Sequence, residues 1–384
     1  MNICDNNRIL VLDGAMGTMI QRYALREGDY SCGPFEGWAK DLAGNNECLN
    51  LTRPEIILDI HREYIQAGAD IIESNTFSAN RISQAEYGCE EWAGKMAFEG
   101  ARLARQAADE AMASDGRKVW VAGSMGPTSK SLSLSPDASD PSFRPYSFEE
   151  MRTAYREQAE GLIRGGVDMI LIETCFDALN VKAALAAIDD ACHRNIPIIV
   201  SVSVGDRSGR TLTGQTLEAF YTSVKHASLA AFGLNCSLGA AELMPMIEDI
   251  GTWCSCGVSC YPNAGLPNEM GGYDQSPEEM AAQVRDMAAR GLVDIVGGCC
   301  GTTPEHIRAI ALAVNGLAPR RLSSKNRHSE DKTMETDNLK VSGLEAVTID
   351  MKVSNFTNIG ERTNVAGSRK FARLISEGKY EEGL

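Results

Sequence analysis

Gly165-Gly166-Val167-Asp168-Met169-Ile170-Leu171-Ile172-Glu173 is the stretch in which the fold becomes legible. A glycine at a helix end takes the left-handed turn without steric cost, so Gly166 closes a helix. The apolar run after it suits a strand buried on both faces of a parallel sheet. The same Gly-x-x-Asp start recurs in Ala67-Gly68-Ala69-Asp70 and Gly291-Leu292-Val293-Asp294, a weak internal repeat of the kind stacked βα units leave. Outward from these, short apolar runs occupy 9–13, 70–75, 119–124, 168–173, 197–204, 231–236, 257–262 and 294–299. Each is followed by apolar residues at three-to-four spacing. Eight βα units in about 300 residues predict a closed (β/α)8 TIM barrel, with functional residues where the strands end.

Helix starts are also readable. Thr52 is expected to cap a helix that has Pro54 in its first turn, and Ser276-Pro277-Glu278-Glu279 and Thr303-Pro304-Glu305 repeat the pattern. The barrel is expected over 1–316. Beyond it, Pro319 to Lys340 is polar and mixed in charge, so 317–352 is expected to be a linker. A strand over 356–360 and a helix over 368–378 are expected in 353–384, which reads as the truncated start of a second domain.

Composition narrows the function. The chain has 384 residues, 43% hydrophobic and 23% charged, so it can bury a core. Lys and Arg total 37 against 52 acidic residues, and a net charge of −15 argues against nucleic acid or an anionic membrane surface as partner. No apolar run approaches the ~18 residues of a membrane span, and Met1-Asn2-Ile3-Cys4-Asp5-Asn6-Asn7-Arg8 lacks a signal-peptide pattern. A cytoplasmic location is expected. There, the 12 cysteines are expected as thiols, and with only five histidines a metal site must lean on sulfur.

The eighth run ends in Gly297-Gly298-Cys299-Cys300-Gly301-Thr302-Thr303-Pro304 and the sixth in Gly233-Leu234-Asn235-Cys236-Ser237-Leu238-Gly239. If the barrel closes, Cys236, Cys299 and Cys300 meet at one rim, the ligand count of a catalytic zinc with an open fourth position. Buried structural thiols are the plainer alternative. Cys254, Cys256 and Cys260 lack the usual iron-sulfur spacing and read as core or surface thiols. A zinc held by three thiolates is a poor Lewis acid for water but can bind an incoming thiol and keep it deprotonated, which points to alkyl transfer onto sulfur.

The first run ends in Leu12-Asp13-Gly14-Ala15-Met16-Gly17-Thr18, a turn whose backbone N–H groups can take an anion while Asp13 takes a cation. Together with Glu173, these would clamp the carboxylate and ammonium of an amino acid; a helix cap and a rim salt bridge are the plainer readings of Asp13 and Glu173. Asn263, in Tyr261-Pro262-Asn263-Ala264-Gly265-Leu266-Pro267, could offer its carboxamide oxygen to the metal or merely shape a turn. Thr76 and Phe77 could line the pocket. No P-loop, G-x-G-x-x-G or H-E-x-x-H occurs, and no run ends in the Lys a Schiff-base aldolase needs.

Taken together, Asp13 to Thr18, Gly233-Leu234-Asn235-Cys236, Tyr261 to Pro267 and Gly297 to Pro304 resemble the homocysteine S-methyltransferase family. Within it, they resemble the homocysteine-binding module of cobalamin-dependent methionine synthases. Asn358-Ile359-Gly360-Glu361-Arg362-Thr363-Asn364-Val365-Ala366-Gly367-Ser368 is similar to the opening strand of that family's pterin-binding barrel, which stand-alone homocysteine methyltransferases would not carry. The resemblance implies Cys236, Cys299 and Cys300 as zinc ligands and Asn263 as the displaceable fourth. It implies Asp13, Glu173 and the backbone of Gly14, Ala15, Met16, Gly17 and Thr18 as the homocysteine clamp, and methionine as product.

The cobalamin motif D-x-H-x-x-G is missing; its nearest approach, Asp59-Ile60-His61-Arg62-Glu63-Tyr64, ends in Tyr. Methylcobalamin is therefore expected in trans, on a separate cobalamin-binding module, and no folate binding is expected. Two alternatives stay open: a stand-alone enzyme using betaine or S-methylmethionine, and a non-catalytic barrel with a structural zinc.

Overall fold

The computed structural model describes residues 7–192, 196–268, 272–320, 338–354, 356–357 and 368–383. All eight expected strands form: β1 (Leu10–Val11), β2 (Ile71–Glu73), β3 (Trp120–Met125), β4 (Met169–Cys175), β5 (Ile198–Val202), β6 (Ala231–Gly239), β7 (Gly257–Asn263) and β8 (Ile295–Val296). They make one parallel sheet in the order β1-β8-β7-β6-β5-β4-β3-β2. A parallel bridge between Leu12 and Ile71 brings β2 round to β1, supported by Asp70 N–H to Val11 O at 2.7 Å and Asp13 N–H to Ile71 O at 3.0 Å. The result is a (β/α)8 barrel.

One long helix follows each strand: α1 (Pro54–Ala67), α2 (Ala93–Asp115), α3 (Phe148–Gly165), α4 (Ala178–Ala191), α5 (Leu217–Val224), α6 (Ala240–Trp253), α7 (Pro277–Ala289) and α8 (Pro304–Val314). Inside the barrel, Leu10, Leu12, Ile71, Met169, Leu171, Ile199 and Ile295 form a closed apolar plug. A second, larger core lies between strands and helices. With the interior filled, chemistry is left to the rim. Among the described residues no helix is long and apolar enough to cross a membrane.

The Gly-x-x-Asp repeat has a physical cause at both its positions. Gly68, Gly166 and Gly291 take positive φ of 111°, 95° and 68° where their helices end. The aspartates accept backbone N–H groups of the neighbouring strand: Asp70 from Val11 at 3.0 Å, Asp168 from Val121 at 2.8 Å and Asp294 from Val258 at 2.7 Å. Each carboxylate thus ties the N-terminal end of one strand to the next.

Two helix starts form as expected, with Ser276 and Glu279 making a reciprocal cap on α7, and Thr303 capping α8 with His306 as its partner. Thr52 does not cap α1. Its hydroxyl donates to Cys48 O at 3.2 Å, one turn back in a preceding short helix, and Arg53 takes the cap position.

The expected linker contains an antiparallel hairpin, β9 (Asn338–Ser342) and β10 (Ala346–Asp350). Its polar face sits on α5 and the loop before it: Ser342 meets the Ser223 hydroxyl at 2.9 Å, Thr216 N–H donates to Leu344 O at 2.9 Å, and Lys340 and Arg210 pair with Glu218 and Glu345. Period-two alternation in Leu339-Lys340-Val341 and Val347-Thr348-Ile349 is the signal, obscured by the charged residues upstream. Residues 321–337 lie outside the described residues. So do 358–367, which hold most of the pterin-like motif and of the strand expected over 356–360. The expected C-terminal helix forms as α9 (Arg369–Ser376), capped by Ser368.

Candidate active site

At the end of β6 the register against β7 shifts between Asn235 and Gly239. Cys236 and Ser237 both take left-handed backbone there, with φ of 58° and 61°. Such a conformation costs a non-glycine residue about 1 kcal/mol or more and persists only where the surroundings enforce it. Here it turns the Cys236 side chain toward the loop after β8. That loop is held by its own bonds: Cys299 N–H to Pro262 O at 2.7 Å, Cys300 N–H to Asn263 Oδ1 at 3.1 Å, and Gly301 N–H to Thr18 Oγ1 at 3.1 Å. Gly301 has a φ of 80°, and a Cβ there would lie 2.3 Å from Tyr273 Cβ.

The three Sγ atoms of Cys236, Cys299 and Cys300 lie within 4.8 Å of one another, the one such metal-ligating group among the described residues. Cys236 Sγ and Cys300 Sγ are 3.8 Å apart. Hydrogen bonds from Cys236, Cys299 and Tyr273 gather the negative charge on Cys300, pulling its thiol down to about 3, while the same crowding and burial push Cys299 up. Asn235 is fixed through Oδ1 by the Thr174 N–H at 3.0 Å and the Ser201 hydroxyl at 2.7 Å, which aims its Nδ2 at Cys299 Sγ, 3.8 Å away.

The other side of the mouth is carboxylic. Asp13 follows β1, Glu73 ends β2 and Glu173 lies in β4. Asp13 is 2% exposed; its Oδ2 accepts the Glu73 N–H at 3.0 Å, and its buried Oδ1 has no partner among the described residues. Glu173 accepts from the Ser124 hydroxyl. Burial, then the mutual repulsion of the carboxylates, holds Asp13 and Glu73 well above the usual carboxylate range, and burial lifts Glu173 to about 7. Among the described residues no cation figures in the surroundings of these three acids, and such a group suits one.

The turn from Gly14 to Thr18 is stitched to the cysteine loop. Ala15 N–H donates to Thr302 Oγ1 at 3.1 Å, and the Tyr64 hydroxyl donates to Ala15 O at 3.1 Å. A Cβ on Gly14 would sit 2.7 Å from Thr302 Oγ1, so only glycine fits. Met16 and Gly17 open a helix of six residues, Met16–Gln21. The structure therefore brings Cys236, Cys299, Cys300, Asn263, Asp13, Glu173 and the 14–18 turn to one rim.

Thr76 is not brought there. Its hydroxyl is bonded to the Ser74 hydroxyl at 2.7 Å and Ser124 O at 2.8 Å, and its methyl faces Gly100 of α2, outside the barrel, where a Cβ would meet it at 2.6 Å. The turn after β2 rotates the side chain away from the opening. Sequence reading passed over Glu73, Asn235, Ser124 and Tyr261. Glu73 had a signal: like Asp13 and Glu173, it is an acid closing an apolar run.

The carboxyl cluster sets a pH dependence. A carboxyl raised in the folded state stabilises the fold fully below its ordinary value of 4.5 and loses that contribution as pH climbs through its folded value of about 7. The metal-free protein is expected to lose about 3 kcal/mol of unfolding free energy over that interval through Glu173. Urea midpoints across pH check it, and Glu173→Gln should flatten the slope; a flat wild-type profile would contradict the assignment.

Residues 10–314 match the family model described as homocysteine S-methyltransferase. The chain belongs to the homocysteine S-methyltransferase family. It is a methyltransferase, and its barrel has the fold of the homocysteine methyltransferase MmuM from Escherichia coli. Against the oxidized form of that protein the TM-score is 0.64 at 20% identity, covering 81% of this chain and 98% of that one. Against the metallated form the values are 0.61, 22%, 80% and 97%.

Proposed function

We propose that this methyltransferase transfers a methyl group to the thiol of homocysteine, giving methionine, with methylcobalamin on a separate cobalamin-binding module as donor. The observation that carries the reading is the meeting of three thiols from β6 and the loop after β8 with the buried carboxyls of Asp13, just after β1, and Glu173 of β4, and with Glu73 at the end of β2. One end of such a mouth suits sulfur chemistry and the other an amino group. The domain reading goes with it: a homocysteine-binding barrel over 1–316, a connecting segment over 317–352 that includes the hairpin, and the start of a pterin-binding domain over 353–384.

The donor set fits zinc, which takes thiolates and completes a tetrahedron with one exchangeable ligand. Cys236, Cys299 and Cys300 would hold it. Asn263 is the proposed displaceable ligand: its Oδ1 already receives the Cys300 N–H, and a carboxamide oxygen keeps a second lone pair. When bound, the zinc supplies acidity to an incoming thiol so that its sulfur is nucleophilic at neutral pH.

The protein's own residues do the positioning. Asp13 and Glu173 take the substrate ammonium, and the backbone amides of the 14–18 turn, apart from that of Ala15, which Thr302 holds, take its carboxylate. Asn235 orients Cys299 through the bonds that fix its own carboxamide. The homocysteine sulfur is then presented to the methyl carbon. The new S–C bond forms as the bond from methyl to donor breaks, and that electron pair stays with the donor. Fixing both ends of the amino acid converts an encounter of two molecules into an oriented displacement.

A stand-alone enzyme using S-methylmethionine or betaine is the second reading, favoured by the match to MmuM over nearly that protein's full length. Methionine formation from homocysteine with each donor separates the two. The expected result is turnover with methylcobalamin and none above background with betaine or S-methylmethionine; the reverse would move the assignment to the second reading.

A further inference from the structure

Cys254 and Cys256 flank Ser255 in the loop that joins α6 to β7, at the end of the barrel away from the rim that holds Cys236, Cys299 and Cys300. Cys254 closes α6 with extended backbone, φ −75° and ψ 127°, and in an extended chain residues i and i+2 share a side. Their Sγ atoms accordingly meet at 3.5 Å, closer than the 3.8 Å between Cys236 and Cys300. Arg320 fixes the loop backbone: its Nη1 donates to Cys256 O at 2.9 Å, and its Nη2 donates to Cys254 O at 2.8 Å and Gly251 O at 3.0 Å. Ser255 between them is held as well, its N–H donating to the Tyr221 hydroxyl at 3.2 Å and its Oγ lying 2.8 Å from the same oxygen.

Burial differs between the two residues. Cys254 is fully buried, whereas Cys256 is half-buried beside exposed Ser255. A reagent from solution therefore meets Cys256 first, with the Cys254 sulfur in contact behind it. The hydrogen bond with Cys256 and the Arg320 charge hold the Cys254 thiol below its ordinary range despite its burial. An accessible thiol backed by a readily ionised one is the arrangement in which a mixed disulfide resolves into an internal one.

We infer that Cys254 and Cys256 form a redox-active dithiol, separate from the three thiols of the rim, which a small-molecule disulfide oxidises reversibly to a Cys254–Cys256 disulfide. The ionised Cys256 sulfur attacks one sulfur of the reagent R–S–S–R. A new S–S bond to Cys256 forms as the reagent's S–S bond breaks, and the first RS⁻ leaves with that electron pair. The ionised Cys254 sulfur then attacks Cys256 Sγ, and the second RS⁻ leaves. The two protons given up by the protein thiols end on two RSH, so the protein loses two electrons and the reagent gains two. Excess thiol runs both exchanges backwards. Cys260, fully buried in β7, takes no part. The dithiol stands whether or not the barrel uses the donor proposed above.

The test is incubation of the full chain, supplied with zinc, with a large excess of glutathione disulfide near neutral pH. Remaining thiols are then alkylated, the protein is digested without reduction, and mass spectrometry locates each link by fragmentation. Wild type should give a peptide two hydrogens lighter, in which Cys254 and Cys256 are joined and Cys260 is alkylated, and dithiothreitol should restore both thiols. Cys254→Ser removes the resolving sulfur and should accumulate a glutathione adduct on Cys256. Cys256→Ser leaves only the buried thiol and should react at least about tenfold more slowly. Both variants should keep the wild-type zinc content. A wild type that keeps only the mixed disulfide, that is alkylated at both positions, or that links either cysteine elsewhere overturns the inference, as does Cys256→Ser reacting as fast as wild type. Should a serine variant fail to fold, the wild-type map decides alone.

Discussion

Cys299→Ala is expected to lose its zinc and its methyl transfer while keeping its fold. Removing one of three thiolates leaves two ligands in a site whose other groups are neutral. Changes merely behind the ligands of such centres already cost about 10–100-fold, so a ligand deletion should exceed about 100-fold in activity. The fold should survive because what shapes the loop is backbone: Cys299 N–H to Pro262 O at 2.7 Å, and the Thr302 hydroxyl to Cys299 O at 2.7 Å. The Cys299 side chain only borders the inner core. A stability change within about 1.5 kcal/mol is expected. Metal analysis, circular dichroism and a methionine assay on one preparation check it, and a wild-type zinc content in the variant would refute the ligand assignment.

The second large effect falls on the scaffold. Gly233 in β6 lies opposite Ser259 of β7, and a Cβ at Gly233 would sit 1.8 Å from Ser259 O and 2.4 Å from Ser259 Oγ. A carbonyl within a sheet cannot swing aside without breaking its ladder, so Gly233→Ala must part β6 from β7 or fail to form the barrel. The expected cost is about 4 kcal/mol or more, beyond ordinary overpacking. Gly251→Ala in α6, where a Cβ meets nothing within 4 Å, is the matched control and should gain about 0.5–1 kcal/mol from helix propensity. Thermal or urea unfolding of the two variants reads both. Equal stabilities would mean that β6 and β7 are not packed as described.

Why the barrel was legible is clear from the Gly-x-x-Asp repeat. The glycine answers a local backbone need, and the aspartate bonds the adjacent strand, so each leaves the same mark wherever the unit recurs. The thiol site was legible for a related reason: a closed barrel forces the ends of β6 and β8 to one rim, so Cys236 and Cys299-Cys300 can be paired from strand count alone. Side-chain direction just past a strand could not be read this way. Thr76 and Glu73 are three residues apart on the same strand end; the former turns to α2 and the latter joins Asp13, and only the rotation of the turn after β2 decides which. The hairpin 338–350 went unseen because its short period-two signal is obscured by the charged residues upstream, and its seat on α5 depends on tertiary contacts such as Lys340 with Glu218. Thr52 shows the same limit: its hydroxyl donates to Cys48 O in the turn before it instead of accepting an N–H of the helix it precedes.

The central claim is that the three thiols hold one metal ion with a place that the substrate sulfur can enter. Zinc X-ray absorption on the loaded chain, with and without homocysteine, tests it most directly. The account predicts three sulfur neighbours and one oxygen or nitrogen before addition, and four sulfurs after. A coordination shell that homocysteine leaves unchanged would contradict it.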